Sequence, residues 1–202
     1  MSLIAVNHPP AMISSEESDA RRNEITKVIN AYVPKHWKGR ILALGCGDGF
    51  ELDVLKSLGL DAVGVTIDPR EVVRADIVLG DMHDLPFEDA SFDFVYSKET
   101  LEHTPAPFLA LKEMSRVLRP HGEYLHLISS SLEKQREVYH FSCFPDWVWV
   151  DLFLKAGFSV DRIYEHPIQL GFIGKKQEFS VRGFSYDLNG EMNRIPRSIL
   201  EL

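Results

Sequence analysis

The fold is decided by the stretch Arg40-Ile-Leu-Ala-Leu-Gly-Cys-Gly-Asp-Gly49. Its first half is a short apolar run, typical of a buried strand, and three glycines follow it at alternate positions. Apolar residues then recur at helical spacing from Leu52 to Leu58, before Gly59. The sequence therefore predicts a strand, a tight glycine turn and a helix whose first N–H groups are available to a ligand.

The alternation of strand and helix patterns continues on both sides of this stretch. The apolar spacing predicts helices over residues 14–33, 105–118 and 146–156. It predicts further strands over 62–67, 75–79, 92–96, 123–128, 158–164 and 178–186. Because strands alternate with helices, we predict an α/β fold with a doubly wound, mostly parallel seven-stranded sheet and helices on both faces.

Composition narrows the class of protein. A chain of 202 residues with 45% apolar side chains can bury the core of one domain. Its two cysteines, Cys46 and Cys143, are too few for a disulfide framework and indicate a reducing compartment. The net charge of −8 disfavours a nucleic-acid partner, and we recognise neither a signal-like start nor a membrane span. We expect a cytoplasmic protein, and its oligomeric state stays open.

Several segments share their order and spacing with one family. The glycine turn lacks the third small residue of a dinucleotide fingerprint and instead resembles the first motif of the class I S-adenosylmethionine-dependent methyltransferases. The other matching segments are Asp81-Met-His-Asp-Leu-Pro-Phe87, Ser91-Phe-Asp-Phe-Val95, Leu101-Glu-His103 and Arg116-Val-Leu-Arg-Pro-His-Gly122. This resemblance, to the small-molecule type of the family, implies a Rossmann-like fold, S-adenosyl-L-methionine as cofactor and methyl transfer to a small-molecule acceptor.

The resemblance also implies which residues bind the cofactor. Asp81 and Met82 would meet the adenine, and Ser97 would face the sulfonium end. The full expected set is Gly45, Cys46, Gly47, Gly49, Thr66, Ile67, Asp68, Asp81, Met82 and Ser97. By analogy, His103 is the candidate catalytic base, and a surface histidine is the alternative.

Two positions depart from the family's pattern. Thr66 stands where an acidic residue usually accepts hydrogen bonds from both ribose hydroxyls, and Ala43 stands where Asp or Glu is common. Asp68, two residues after Thr66, is a hypothetical substitute for the missing carboxylate. These departures keep open a non-catalytic methyltransferase-like binding or regulatory protein with a weakened cofactor site. A second alternative is an NADP enzyme in which Arg70 reads a 2′-phosphate.

One cluster of two carboxylates and a histidine allows two interpretations. If their segment is helical, Glu99, Glu102 and His103 share one face, where they either hold a divalent cation or serve as solvated or capping side chains. We assign no metal ligand from the sequence. The segment Tyr139-His-Phe-Ser-Cys-Phe144, Trp147 and Trp149 could line an acceptor pocket, but we predict that both tryptophans belong to the core.

We treat residues 1–202 as a single methyltransferase-like domain. It comprises the 14–33 helix, a cofactor-binding core over 40–128, an acceptor-side segment with the last strands over 129–188 and a tail over 189–202. We expect acceptor specificity in the N-terminal helix, in the connection 129–142 and in a loop over 168–176, because the resemblance covers these parts least.

Overall fold

The computed structural model describes residues 15–129, 140–166 and 169–177. Its helices are α1 (Ser15–Tyr32), α2 (Phe50–Ser57), α3 (Pro107–Val117) and α4 (Asp146–Ala156). Its strands are β1 (Arg40–Leu44), β2 (Asp61–Thr66), β3 (Ile77–Leu79), β4 (Phe92–Lys98), β5 (Leu118–Ser129), β6 (Arg162–His166) and β7 (Gln169–Lys175). Short 3₁₀ helices, Pro69–Glu71 and Leu101–His103, follow β2 and β4. None of the helices in these ranges is long and apolar enough to cross a membrane.

The strands form one sheet in the order β3-β2-β1-β4-β5-β7-β6. Strands β1 to β5 run parallel, whereas β7 pairs antiparallel with both β5 and β6. Strands β2 and β3 lie on one side of β1, and the chain then crosses back so that β4 pairs with β1 on the other side. Ligands of such sheets bind at the carboxyl edge beside this reversal. The predicted α/β, mostly parallel fold class is confirmed.

Both faces of the sheet are buried, which explains the unbroken apolar run of β1. Ile41 and Ala43 pack in the layer covered by α1 and α2, and Leu42 and Leu44 pack in the layer covered by α3 and α4. All four side chains are at most 1% exposed. Because successive strand residues point to opposite faces, a strand between two helical layers needs apolar residues at every position.

Strand β5 begins earlier than predicted. The breaker sequence Pro120-His-Gly122 follows the end of α3, as its residue types indicate, but it lies inside β5. Between the pairs Phe92–Leu118 and Phe94–Glu123, β5 contains extra residues, and His121 has a positive φ of 61°. These residues therefore form an irregularity of the strand instead of a loop before it.

The last strand does not lie where the sequence pattern placed it. Strand β7 occupies Gln169–Lys175, most of the predicted 168–176 loop, while the predicted strand over 178–186 and the 189–202 tail lie outside the described residues. A Cβ at Gly174 would lie 2.0 Å from the carbonyl oxygen of Ser159. Gly174 therefore marks a close approach of two backbone segments inside a strand, whereas the sequence pattern predicted a loop here.

Helix α4 separates its two tryptophans. Trp149 is 1% exposed and packs in the core, as predicted, whereas Trp147 is 70% exposed. The prediction that both belong to the core was wrong for Trp147, because two positions along a helix point to different sides.

Candidate active site

A cavity of about 380 Å³ opens at the carboxyl edge of the sheet, beside the chain reversal between β1 and β4. Its walls come from the glycine turn after β1, the starts of α2 and of the segment after β4, the 3₁₀ helix after β2, and α1. The lining residues are Arg22, Ile25, Gly45, Cys46, Gly47, Asp48, Phe50, Glu51, Glu71, Lys98, Glu99 and His103. The cavity therefore lies where the fold class places ligands.

The glycine turn forms the floor of this cavity and requires glycine. Gly45 has a φ of 71°, and a Cβ there would lie 2.6 Å from the side chain of Thr100. Gly47 has a φ of 53°, and the position of its absent Cβ is 3.7 Å from Oε1 of Glu71. The turn is tied to β2 by the N–H of Gly45, which donates to the carbonyl of Val65 at 2.9 Å. A ligand can therefore approach bare backbone at the floor.

The thiol of Cys46 lies in the same turn but is not a nucleophile. Its side chain is buried. Burial, with the nearby carboxylates of Glu71 and Glu51, raises the pKa of the thiol to about 12. Because only the thiolate reacts, Cys46 remains a neutral neighbour of any ligand at physiological pH.

A carboxylate stands beside the end of β2, but the sequence analysis did not identify it. Thr66 is buried, and its hydroxyl donates to Oε2 of Glu71 at 2.5 Å. Glu71 belongs to the 3₁₀ helix after β2 and lines the cavity. Thr66 thus positions a carboxylate that comes from further along the chain. The signal in the sequence was an acidic residue within one turn of the strand end.

Asp68, which the sequence suggested as a substitute for the missing ribose-binding carboxylate, instead caps the 3₁₀ helix after β2. Its carboxylate accepts hydrogen bonds from the backbone N–H and from Nε of Arg70, both at 2.9 Å. These bonds hold the pKa of Asp68 at about 2 and cap the 3₁₀ helix. Asp68 is not among the lining residues of the cavity. The Arg70 guanidinium is likewise engaged with Asp68.

The other predicted residues divide into two groups. Gly45, Cys46, Gly47 and His103 line the cavity, whereas Gly49, Thr66, Ile67, Asp68, Asp81, Met82 and Ser97 do not. Oδ1 of Asp81 accepts from the backbone N–H of His83 at 2.9 Å. Ser97 is fully buried, and its hydroxyl shares a 2.7 Å hydrogen bond with Nδ1 of His126. The sequence could not show this pairing, because it joins neighbouring strands.

The charges around the cavity are mostly negative. Four carboxylates, those of Asp48, Glu51, Glu71 and Glu99, stand against the two cations Arg22 and Lys98. Nζ of Lys98 lies 3.4 Å from Glu99, and the Arg22 guanidinium lies 5.0 Å above the ring of Phe50. The excess of carboxylates favours a ligand with a positive group, and Arg22 offers one position for an anionic group.

Next to the cavity-lining His103, Glu102 connects the 3₁₀ helix after β4 with the end of β5 and with the segment before α4. It is 1% exposed, and its Oε1 accepts from the N–H of Ser129 at the end of β5, at 2.7 Å. Its backbone carbonyl accepts from the N–H groups of Phe141 and Ser142 at 2.8 and 3.0 Å. Burial raises the pKa of the Glu102 carboxyl. The segment entering α4 is therefore fixed against the 3₁₀ helix after β4.

Two histidines meet at this junction. His103 lines the cavity, and its ring centroid lies 4.6 Å from that of His140 in an edge-to-face arrangement. The sequence indicated His103 as a candidate base and His140 only within a possible acceptor-pocket segment, and their contact was not predicted because the two are far apart in the chain. Phe141, the next residue, is 61% exposed.

Known proteins resemble the central part of the chain. Residues 42–126 match the family model described as a methyltransferase domain. A 27-O-demethylrifamycin SV methyltransferase of Amycolatopsis mediterranei is 30% identical over 122 residues, which are 53% of this chain and 43% of that protein. A sterol 4-C-methyltransferase of Caenorhabditis elegans is 33% identical over 97 residues, which are 42% of this chain and 29% of that protein.

The chain spans less than half the length of these curated relatives. Among solved structures, a SAM-dependent methyltransferase from Aquifex aeolicus superposes with a TM-score of 0.61 at 17% identity, covering 77% of this chain and 98% of that one. That likeness concerns the fold. The matched segment contains the glycine turn and most of the central sheet. Residues 42–126 therefore resemble a methyltransferase domain, and the sheet topology agrees with the fold of the solved methyltransferase.

Proposed function

We propose that the protein transfers a methyl group from S-adenosylmethionine to a small-molecule acceptor. The observation that carries this proposal is the cavity at the sheet reversal, where a glycine floor and a cavity-lining carboxylate beside the end of β2 face one another. A glycine cradle suits close backbone contact with a ligand, and a carboxylate suits a pair of hydroxyl groups. These residues therefore fit an adenosyl cofactor.

We assign the ribose hydroxyls to Glu71. Its Oε2 already accepts from Thr66 at 2.5 Å, and the Oε1 side faces Gly47. An ionised carboxylate has lone pairs for several donors, so Glu71 can accept from the ribose while Thr66 holds it in place. This assignment compensates for the neutral residue at the strand end and weakens the argument for a lost cofactor site.

The remaining parts of the cofactor have candidate partners on either side of Glu71. The methionine carboxylate suits the Arg22 guanidinium and the first N–H groups of α2, and the positive sulfur suits the surrounding carboxylates. Ile67, which is 62% exposed just after β2, offers an apolar cover for the adenine. The adenine role of Asp81 and Met82 stays a proposal from the family resemblance, and Ser97 acts at most indirectly because its side chain is buried.

When bound, S-adenosylmethionine supplies a methyl group on a positively charged sulfur. The protein's own contribution is to hold the acceptor in line with that methyl and to exclude water. We propose that His103 accepts the proton that a hydroxyl or amine acceptor must lose, because its imidazole lines the cavity. The acceptor itself would enter past His140 and the exposed rings of Phe141 and Trp147.

We further propose that residues 1–202 act as a single methyltransferase-like domain in the cytoplasm. Free cysteines support a reducing compartment, and the formal charge of −8 disfavours a nucleic-acid acceptor. The oligomeric state is left to measurement.

Calorimetric titration of the purified protein tests the cofactor. We expect micromolar binding of S-adenosylmethionine and of S-adenosylhomocysteine, with no binding of NADPH. Absence of all three would overturn the proposal in favour of a non-catalytic binding or regulatory protein. Binding of NADPH alone would overturn it in favour of the dinucleotide enzyme.

A pair of variants tests the assignment of Glu71. Glu71→Gln replaces a charged hydrogen-bond acceptor by a neutral one. The variant should bind S-adenosylhomocysteine about tenfold more weakly, which corresponds to about 1.4 kcal/mol. The matched control is Glu88→Gln, an exposed residue before β4 that does not line the cavity. Equal affinity of the two variants would refute the role of Glu71.

A further inference from the structure

A group of three potential metal ligands lies next to the cavity. One ligand atom each from Glu102, His103 and His140 lies within 4.8 Å of the other two. Ligands on one tetrahedral zinc ion, with bonds of about 2.0–2.2 Å, are about 3.3 Å apart. The three groups therefore need to approach one another by at most about 1.5 Å, and two of them are imidazoles at or near the surface.

The buried carboxylate has an oxygen that no protein group satisfies. Oε1 of Glu102 accepts from Ser129, but Oε2, though buried, has no hydrogen-bond partner among the residues that the structure describes. A buried acceptor without a partner costs about 1–3 kcal/mol, so such an atom calls for an explanation. A cation held between this carboxylate and the two imidazoles would supply one.

The backbone holds these ligands together from two sides. The carbonyl of Glu102 accepts from Phe141 and Ser142, which directly follow His140. The hydroxyl of Ser142 donates to the carbonyl of Thr104 at 2.6 Å. Such outer hydrogen bonds keep metal ligands oriented. The segment that contains His140 is therefore held in position against the 3₁₀ helix that contains the other two ligands.

We propose that Glu102, His103 and His140 form a binding site for a divalent transition-metal ion of the Zn²⁺ or Co²⁺ type. Two imidazoles with one carboxylate suit such ions, whereas Mg²⁺ and Ca²⁺ prefer oxygen ligands alone. Glu99 is outside the set, because its carboxylate lies in the cavity near Lys98. With the ion bound, His103 is a ligand and no longer the proton acceptor, and coordination positions left open towards the cavity let water or an oxygen of the acceptor bind the ion.

The test measures metal binding directly and needs neither cofactor nor acceptor, so its outcome is independent of the methyl-transfer proposal. Full-length protein is first freed of metal with a chelator. It is then titrated with CoCl₂, followed by visible absorption, and with ZnCl₂, followed by calorimetry. We expect one equivalent of either ion to bind, with Co²⁺ giving the visible bands of a low-symmetry nitrogen and oxygen site.

Variants decide whether these three residues are the ligands. His140→Asn and Glu102→Gln should each weaken Zn²⁺ binding by at least about tenfold, whereas Glu99→Gln should bind as the parent does. Circular dichroism checks that each variant folds. If Glu102→Gln fails to fold, His140→Asn alone decides, because the His140 side chain is only half-buried and its replacement should leave the fold intact. Absence of binding, or binding unchanged by His140→Asn, would overturn the proposal.

Discussion

The histidine inside the sheet makes the stability of the protein sensitive to mild acid. His126 is fully buried in β5 and packs beside the stacked rings of Tyr124 and Phe153, whose centroids lie 5.0 and 5.5 Å from its own. Its Nδ1 shares a hydrogen bond with Ser97, and Nε2 has no partner among the described residues. Burial lowers the pKa of His126 from 6.5 to about 3.

The size of this stability loss follows from the difference in proton binding between the folded and unfolded chains. Above pH 6.5 the histidine is neutral in both states. Below that pH only the unfolded chain takes up the proton, so stability falls as the pH falls. Between about pH 8 and about pH 5 this histidine should lower the free energy of unfolding by about 2 kcal/mol, and the loss should rise to about 4 kcal/mol once the pH reaches the folded pKa.

The assay is urea unfolding followed by tryptophan fluorescence, at about pH 8 and about pH 5, on the parent, His126→Asn and His121→Asn. His126→Asn keeps a polar group that can bond Ser97 but does not titrate, so its loss of stability should be smaller than that of the parent by about 2 kcal/mol. His121→Asn replaces an exposed histidine and should behave as the parent does. An undiminished loss in His126→Asn would refute the reasoning.

Three further outcomes follow from packing and burial. Trp149→Ala should lower the free energy of unfolding by about 3–5 kcal/mol and Trp147→Ala by less than about 0.5, because only Trp149 is buried; equal effects in urea titrations would contradict this. Gly174→Ala should cost at least about 1–3 kcal/mol, since its Cβ would overlap the carbonyl oxygen of Ser159, and an unchanged melting temperature would argue against that contact. Cys46 should resist iodoacetamide at about pH 8 until urea is added, because a thiol of pKa about 12 is almost wholly protonated there; rapid labelling of the folded protein, measured by mass spectrometry, would show an ionised thiol.

The central fold was predictable because its signals are local. The apolar run of β1, the glycines after it and the helical spacing of α2 are each contained within a few residues, and backbone sterics link such patterns directly to structure. Helix α4 was predicted over the same residues that the structure shows. Strand β7 was missed because Gly171 and Gly174 resemble loop residues until the approach of Ser159 to Gly174 is seen.

The chemistry around the cavity was predictable only in part. The glycine floor and His103 were identified from motifs, and both line the cavity. Glu71 was missed because the family pattern directs attention to the strand end itself, whereas the carboxylate arrives from the next turn. His140 was named only as part of a possible acceptor-pocket segment, and its contact with His103 was not predictable because no spacing rule relates two residues that 36 intervening residues separate.

By itself, the sequence predicted the parallel sheet with helices on both faces, the position of a glycine-floored ligand site and a resemblance to methyltransferases. These follow from periodicity and from backbone requirements that each short segment carries alone. Tertiary structure decided which side chains meet: Glu71 with Thr66 beside the cavity, Ser97 with His126 inside the sheet, and Glu102 with the two histidines. Such meetings depend on the paths of the connections between strands, and those paths are set by the packing of the whole sheet and not by any local pattern.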